Sequence, residues 1–189
     1  VIDTLRPDWK SLVMYESSPG KRGTSLRLAR ECFNYIPSHF FLDGVRGEVR
    51  NGVRHEDLRS LTFDDNSIDI HVSQDVLEHV FNSDLVFAEI NRTLRPGGVH
   101  ICTVPLVRKH QPTRIRASIE NDTVVNHLPP DFHGNPVSGD GSLVVTEWGF
   151  DICEHIFRAS GMYTQTFIID DLSKGIRAEY IEVLAMFKK

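Results

Sequence analysis

Ile68-Asp69-Ile70-His71-Val72, then Ser83-Asp84-Leu85-Val86-Phe87-Ala88-Glu89-Ile90-Asn91-Arg92-Thr93-Leu94, then Arg95-Pro96-Gly97-Gly98 and Val99-His100-Ile101-Cys102-Thr103-Val104: this run decides the fold. The β-branched residues of the first segment make it a strand. Ser83 or Asp84 caps a helix whose core-facing stripe is Leu85, Val86, Ala88, Ile90 and Leu94. Arg95-Pro96-Gly97-Gly98 ends it with a basic last turn, a proline that cannot continue a helix, and a glycine that tolerates positive φ. Val99 to Val104 is the strongest strand signal in the chain.

Upstream, Leu12-Val13-Met14-Tyr15 is a buried strand ending in Glu16, followed by the turn-forming cluster Ser17-Ser18-Pro19-Gly20-Lys21-Arg22-Gly23. Thr24 or Ser25 then caps a helix with Leu26, Leu28, Ala29, Cys32 and Phe33 on one face, stopped by Pro37. Phe40-Phe41-Leu42 reads as a second strand. Val53 to Asp57 is a weaker third, after the Asn51-Gly52 turn. Strand, helix, strand, turn, strand, helix, strand is the order of a parallel sheet wrapped by helices.

Downstream the pattern breaks between Pro105 and Thr146, where Pro129-Pro130, Gly134-Asn135-Pro136 and Gly139-Asp140-Gly141 punctuate an irregular stretch. Loops beyond about 12–15 residues are commonly lids or binding loops, so 105–146 reads as a long loop or lid insertion in a single domain, 1–189. Helical period returns at Trp148, Ile152, Ile156 and Phe157, with Gly161 as C-cap. Tyr163 to Ile169 and Tyr180 to Phe187 then pair as an antiparallel hairpin.

The chain has 189 residues, 40% of them hydrophobic and 25% charged, with a net charge of −5. That balance suits a soluble globular protein and not a nucleic-acid-coating surface. Arg108-Lys109-His110 with Arg114 and Arg116 is either a solvated loop or a contact for an acidic small substrate. Cys32, Cys102 and Cys153 are odd in number and widely spaced, which fits a reducing, cytoplasmic setting better than disulfides. No apolar run approaches the roughly 20 residues of a membrane span. The first residue is Val1, which fits a piece of a longer protein.

The stretch Glu56-Asp57-Leu58, Leu61-Thr62-Phe63-Asp64-Asp65-Asn66-Ser67-Ile68-Asp69-Ile70, Val76-Leu77-Glu78-His79-Val80 and Glu89-Ile90-Asn91-Arg92-Thr93-Leu94-Arg95-Pro96-Gly97-Gly98 resembles the class I S-adenosylmethionine-dependent methyltransferases, in their small-molecule, type 11 branch. The resemblance implies an α/β, Rossmann-like fold: a mostly parallel seven-stranded sheet, helices on both faces, and a C-terminal antiparallel hairpin. It implies S-adenosylmethionine as cofactor and a small-molecule acceptor, a sugar or other hydroxylated metabolite.

In an open α/β sheet, ligands sit beyond the carboxyl ends of the strands. By resemblance, the loop from Glu16 through Ser17, Ser18 and Gly20 wraps the methionine part of the cofactor. Asp57 accepts a hydrogen bond from the adenine amino group, Leu58 packs beside the ring, and Ser73 and Gln74 lie next to the sulfonium. Asp57 also reads as a helix N-cap. Two features depart from the family: the glycine loop keeps only Gly20 and Gly23, and the ribose-binding acid is missing, with His39 and Phe40 near its place. No P-loop and no dinucleotide fingerprint is present.

If the acceptor is a hydroxyl, a base within hydrogen-bond reach assists. His79, His127 and His133 are the candidates, since imidazole titrates near working pH. Glu78-His79 otherwise decorates the surface of a short helix. A His127/His133 metal pair is an open alternative, but Asp131 is the only close addition and two ligands without a third at fixed spacing are little evidence; no metal is expected. Trp148 and Phe150 could wall the acceptor or pack the core. A non-catalytic scaffold domain of this fold is the alternative to an enzyme.

Overall fold

In β1 (Val13–Ser17), Met14 and Tyr15 point to opposite faces of one sheet and are buried in different cores. The same alternation runs through the sheet: Ile101 joins one core and Cys102 the other, and Ala185 is flanked by Leu184 and Met186 of the opposite face. A strand buried on both sides needs apolar residues at both parities, which explains its continuous hydrophobic sequence. The computed structural model describes residues 1–134 and 141–189; the turn signals Asn135-Pro136 and Gly139-Asp140 fall outside them.

The main sheet has eight strands in the order β13-β14-β6-β5-β1-β2-β4-β3. Five run parallel: β1, β2 (Asn34–His39), β4 (Val53–His55), β5 (Ile68–Gln74) and β6 (Leu94–Thr103). β3 (Val49–Arg50) turns back antiparallel at one edge through Asn51 and Gly52, both with positive φ. β13 (Tyr163–Ile168) and β14 (Glu182–Phe187) form the antiparallel hairpin, with β14 against β6. The expected seven strands become eight through the two-residue β3.

Helices cover both faces. α3 (Ser83–Thr93) and α4 (Ile152–Ser160) pack together over one, sharing a core with Tyr15, Leu77 and Trp148. α1 (Ile2–Leu5) and α2 (Thr24–Glu31) lie on the other, around Trp9, Leu28 and Val72. Gly161 closes α4 in the left-handed region, as expected.

Several boundaries differ from the sequence reading. α2 ends at Glu31, and Pro37, expected to stop it, lies inside β2 instead of before a strand at Phe40-Phe41-Leu42. Pro37 is tolerated because β4 pairs only with Ser38 and His39, so no N–H is needed there on that side. Leu28 and Cys32, one helical turn apart, face the sheet; Leu26, about 200° away around the helix, is exposed, as is Phe33. In α3 the buried stripe is Val86, Phe87, Ile90 and Thr93, while Leu85 and Ala88 face out. Its N-cap is Asn82 in the left-handed region, with no side-chain cap bond, in place of Ser83 or Asp84.

The segment 105–146 is less irregular than expected. Its described residues form three small antiparallel ladders: β7 (Arg114–Ile115) with β12 (Thr146–Glu147), β8 (Ala117–Glu120) with β9 (Thr123–Asn126), and β10 (Phe132–His133) with β11 (Ser142–Leu143). Four of these strands are two residues long, too short to carry the alternation that marks a strand in sequence. Among the described residues no helix is long and apolar enough to cross a membrane.

Candidate functional site

The parallel register places Ser17 beside Ser38 and Ser73, His39 beside His55, and Gln74 beside Thr103. Glu16, His39, Asp57, Ser73 and Gln74 therefore share one rim at the carboxyl ends of the strands.

At its centre Glu16 is fully buried and fully engaged. Its carboxylate accepts from Ser25 Oγ at 2.7 Å, from the Gln74 amide at 2.9 Å and from the Tyr35 hydroxyl at 2.6 Å. Ser25 Oγ in turn accepts from the Gly20 N–H at 3.0 Å, which ties the loop down onto the strand ends. Ser18 has φ +52° and donates its N–H to the Ser38 carbonyl at 2.8 Å. Ser17 is buried, and its hydroxyl has no hydrogen-bond partner among the described residues. Ser73 Oγ is bonded to His100 Nε2 at 2.9 Å, within the sheet.

Asp57 is held by Arg59. The guanidinium donates to both carboxylate oxygens, at 3.0 and 2.7 Å, and the Arg59 N–H donates at 2.9 Å, an N-cap-like bond. Burial alone would raise the Asp57 carboxyl, but the Arg59 bonds outweigh it and the net shift is downward. Leu58 is buried in the core with Tyr15, Leu61 and Ile68. His39 presents a buried Nδ1 with no partner among the described residues; burial first, and the Lys21 charge second, lower its pKa. Phe40 is half exposed and packs edge-on against His55.

Two clefts open beside this rim, at the end of β6. The larger, about 600 Å³, is lined by Leu106 to Gln111, Arg114, Glu147 and Glu179. The smaller, about 90 Å³, is lined by Glu78, Pro105, Val107, His133, Thr146 and others; the two share Val107 and Glu147. The basic cluster is largely neutralised here: Arg108, Arg114 and Arg116 converge on Glu147, and Lys109 pairs with Glu182. Trp148 is core, and Phe150 is exposed.

Of the three histidine candidates, His79 and His133 come together with ring centroids 5.1 Å apart, whereas His127 is exposed on the β8–β9 hairpin, bonded to Ser118 Oγ at 2.9 Å. Glu78 joins the pair. It is 2% exposed, and neither carboxylate oxygen has a hydrogen-bond partner among the described residues. Its Oε1 lies 3.7 Å from His79 Nε2 and 3.9 Å from His133 Nδ1. Burial pushes its carboxyl up to about 8, with the Asp75 charge adding to the rise. Burial also lowers the His79 imidazole, and His133 adds to this. The reading of Glu78 as helix surface is thus corrected: the turn carrying it is pinned by Val145 N–H donating to the Glu78 carbonyl at 2.8 Å. Val76, Leu77 and Val80 around it were the available signal, since an acid amid apolar neighbours on a short turn tends to be buried with them.

Residues 23–102 match the family described as Methyltransferase domain. Over 77 residues the chain is 35% identical to a probable S-adenosylmethionine-dependent methyltransferase of Mycolicibacterium smegmatis, covering 41% of this chain and 27% of that protein. The chain thus spans only about a quarter of that relative's length. An S-adenosylmethionine-dependent methyltransferase from Mesorhizobium loti superimposes with a TM-score of 0.57 at 17% identity, over 98% of this chain and 94% of that one. A Burkholderia thailandensis 1,6-didemethyltoxoflavin-N1-methyltransferase, with its substrate and S-adenosylhomocysteine bound, gives 0.56 at 15% identity, over 98% and 75%. The fold is that of the class I methyltransferases. At the level of sequence the likeness lies in residues 23–102, less than half of the chain.

Proposed function

We propose that the chain transfers a methyl group from S-adenosylmethionine to a small-molecule acceptor with a hydroxyl group, a sugar or a similar metabolite. The observation that carries this reading is the meeting of Glu16 and Gln74, from adjacent parallel strands, behind the Ser17–Gly23 loop. Such a junction of strand ends is where ligands of open α/β sheets lie. The neighbour that holds S-adenosylhomocysteine has the same fold.

The cofactor supplies a sulfonium-bound electrophilic methyl group. Around it, the Ser17–Gly20 backbone would bind the methionine end, His39 the ribose, and Asp57 the adenine edge. Gln74, a neutral amide whose Nε2 is bonded to Glu16 and Ser25, would lie beside the sulfonium. On the acceptor side, the His79 Nδ1–H donates to the Leu143 carbonyl at 2.9 Å, because that carbonyl can only accept. Nε2 is then unprotonated and can accept a hydrogen bond from an acceptor hydroxyl, with His133 opposite. Residues 105–146 would cover the acceptor and exclude water. Orientation of the acceptor for in-line displacement supplies much of the acceleration.

A non-catalytic scaffold is the second reading, favoured by the saturation of Glu16 and by Arg59 holding both Asp57 oxygens. Incubation with methyl-labelled S-adenosylmethionine and a panel of hydroxylated small molecules separates the two. Acceptor-dependent release of S-adenosylhomocysteine supports the enzyme; cofactor binding with no turnover on any acceptor class supports the scaffold.

A further inference from the structure

Glu78 and His133 line the smaller cleft, and with His79 behind them they form a group of two imidazoles and a carboxylate whose arrangement differs from that of a hydrogen-bonded catalytic pair. His79 Nε2 and His133 Nδ1 approach Glu78 Oε1 at 3.7 and 3.9 Å, beyond hydrogen-bond length. All three ligand atoms lie within 4.8 Å of one another. Atoms bound tetrahedrally at about 2.1 Å to one ion stand about 3.4 Å apart, so the two carboxylate–imidazole separations lie within about half an ångström of that geometry.

The tautomer points the same way. Because His79 Nδ1–H is committed to the Leu143 carbonyl, the Nε2 lone pair is turned toward Glu78. A lone pair facing a buried carboxyl at 3.7 Å, with no donor on either oxygen among the described residues, calls for a positive species between them, a proton at its simplest or a metal ion. A backbone carbonyl that fixes the outer nitrogen of a histidine is also the usual second-shell support of a metal ligand. The fold assembles the set from two places: the turn Leu77–His79 after β5, and the β10–β11 ladder. Gly141 lets that ladder close, since a Cβ there would stand 2.9 Å from the His133 carbonyl.

We infer that Glu78, His79 and His133 form a binding site for one divalent transition cation of the zinc type, with an open coordination position facing the cleft of Pro105, Val107 and Thr146. Two nitrogens and one oxygen suit such an ion, whereas magnesium and calcium require mostly oxygen. The site deepens the reading above: an acceptor oxygen would coordinate the ion instead of hydrogen-bonding His79. Which molecule fills the open position rests on that reading; the site itself does not.

The test is zinc competition between the full chain and a chromophoric chelator, without S-adenosylmethionine, so that its failure leaves the methyltransferase reading untouched. One zinc ion per chain is expected, with no displacement by excess magnesium or calcium. Glu78→Gln and His79→Ala should each weaken binding at least about tenfold, whereas His155→Ala should not change it. His133→Ala, at a half-exposed position where the fold tolerates truncation, should weaken it equally and stands if the Glu78 variant fails to fold. Absence of stoichiometric zinc binding by the native chain, or unchanged affinity in His133→Ala, overturns the site.

Discussion

The Gln74 side chain, at the end of β5, donates a hydrogen bond of 2.9 Å to the buried carboxylate of Glu16, at the end of β1. This bond joins two strands at the point where the loop Ser17–Gly23 leaves the sheet, so loop position and sheet register are set together. Three side chains, Ser25, Tyr35 and Gln74, donate to that one carboxylate.

Glu16→Ala should therefore destabilise the protein by about 3 kcal/mol or more, because it strands several part-buried donors at once. Tyr35→Phe, which removes one donor and leaves the carboxylate two others, should cost about 1–2 kcal/mol. Urea unfolding followed by circular dichroism measures both, and the order of the two effects is the point of the comparison.

Asp57→Ala should leave the fold intact and weaken S-adenosylmethionine binding about tenfold, the worth of one hydrogen bond of about 1.4 kcal/mol. Arg59→Ala frees the same carboxylate from its bidentate partner and should not weaken binding. Titration calorimetry on the two variants checks this, and unchanged affinity in Asp57→Ala would remove adenine from that position.

Much of this architecture was legible in the sequence because two-sided burial leaves a strong mark. The order β5–α3–β6, the terminal hairpin and the Gly161 cap follow from local patterns, whereas Leu94 to Gly98, read as helix end and turn, already belong to β6. Pro37 misled because its tolerance depends on where β4 begins, a tertiary fact. Leu26 and Leu85 misled because an apolar residue was counted without its helical angle. At the site, the strand-end rim was readable, but the meeting of Glu78 and His79 with His133 depends on the β10–β11 ladder, whose two-residue strands are too short for a periodic signal.

His71 and His100 give the protein a defined acid response. Both are buried in the sheet, edge-on to each other, with His71 also against the Tyr15 ring. Thr93 donates to helix carbonyls and so accepts from His71 Nε2–H; Ser73 engages His100 Nε2. Burial, and for His71 also the neighbouring His100, holds His71 well below the usual imidazole value; burial lowers His100 to about 3. The unfolded chain takes up these protons first, near pH 6.5, so stability falls as pH drops below that value. The slope approaches about 1.4 kcal/mol per pH unit for each histidine. Glu78, raised to about 8, holds a proton in the folded chain across the same range and opposes one of them. The urea midpoint should therefore fall between pH 7.5 and 5.5 by less than two histidines alone would give, and His100→Gln should flatten the dependence further.

Gly149→Ala should be costly. A Cβ there would stand 2.3 Å from the Gln111 carbonyl and 2.5 Å from the Thr113 nitrogen, and neither backbone atom can rotate away. The expected loss is about 3 kcal/mol. Because Arg108 and Gln111 line the larger cleft, its wall should loosen as well, read as faster hydrogen exchange at residues 108–113.

The most direct measurement is calorimetric titration of the native chain with S-adenosylmethionine. One saturable site with a dissociation constant on the order of 10 μM, weakened in Gln74→Ala and Asp57→Ala, is the predicted result. No heat at high micromolar cofactor would contradict the claim that these strand ends form a nucleoside-binding rim.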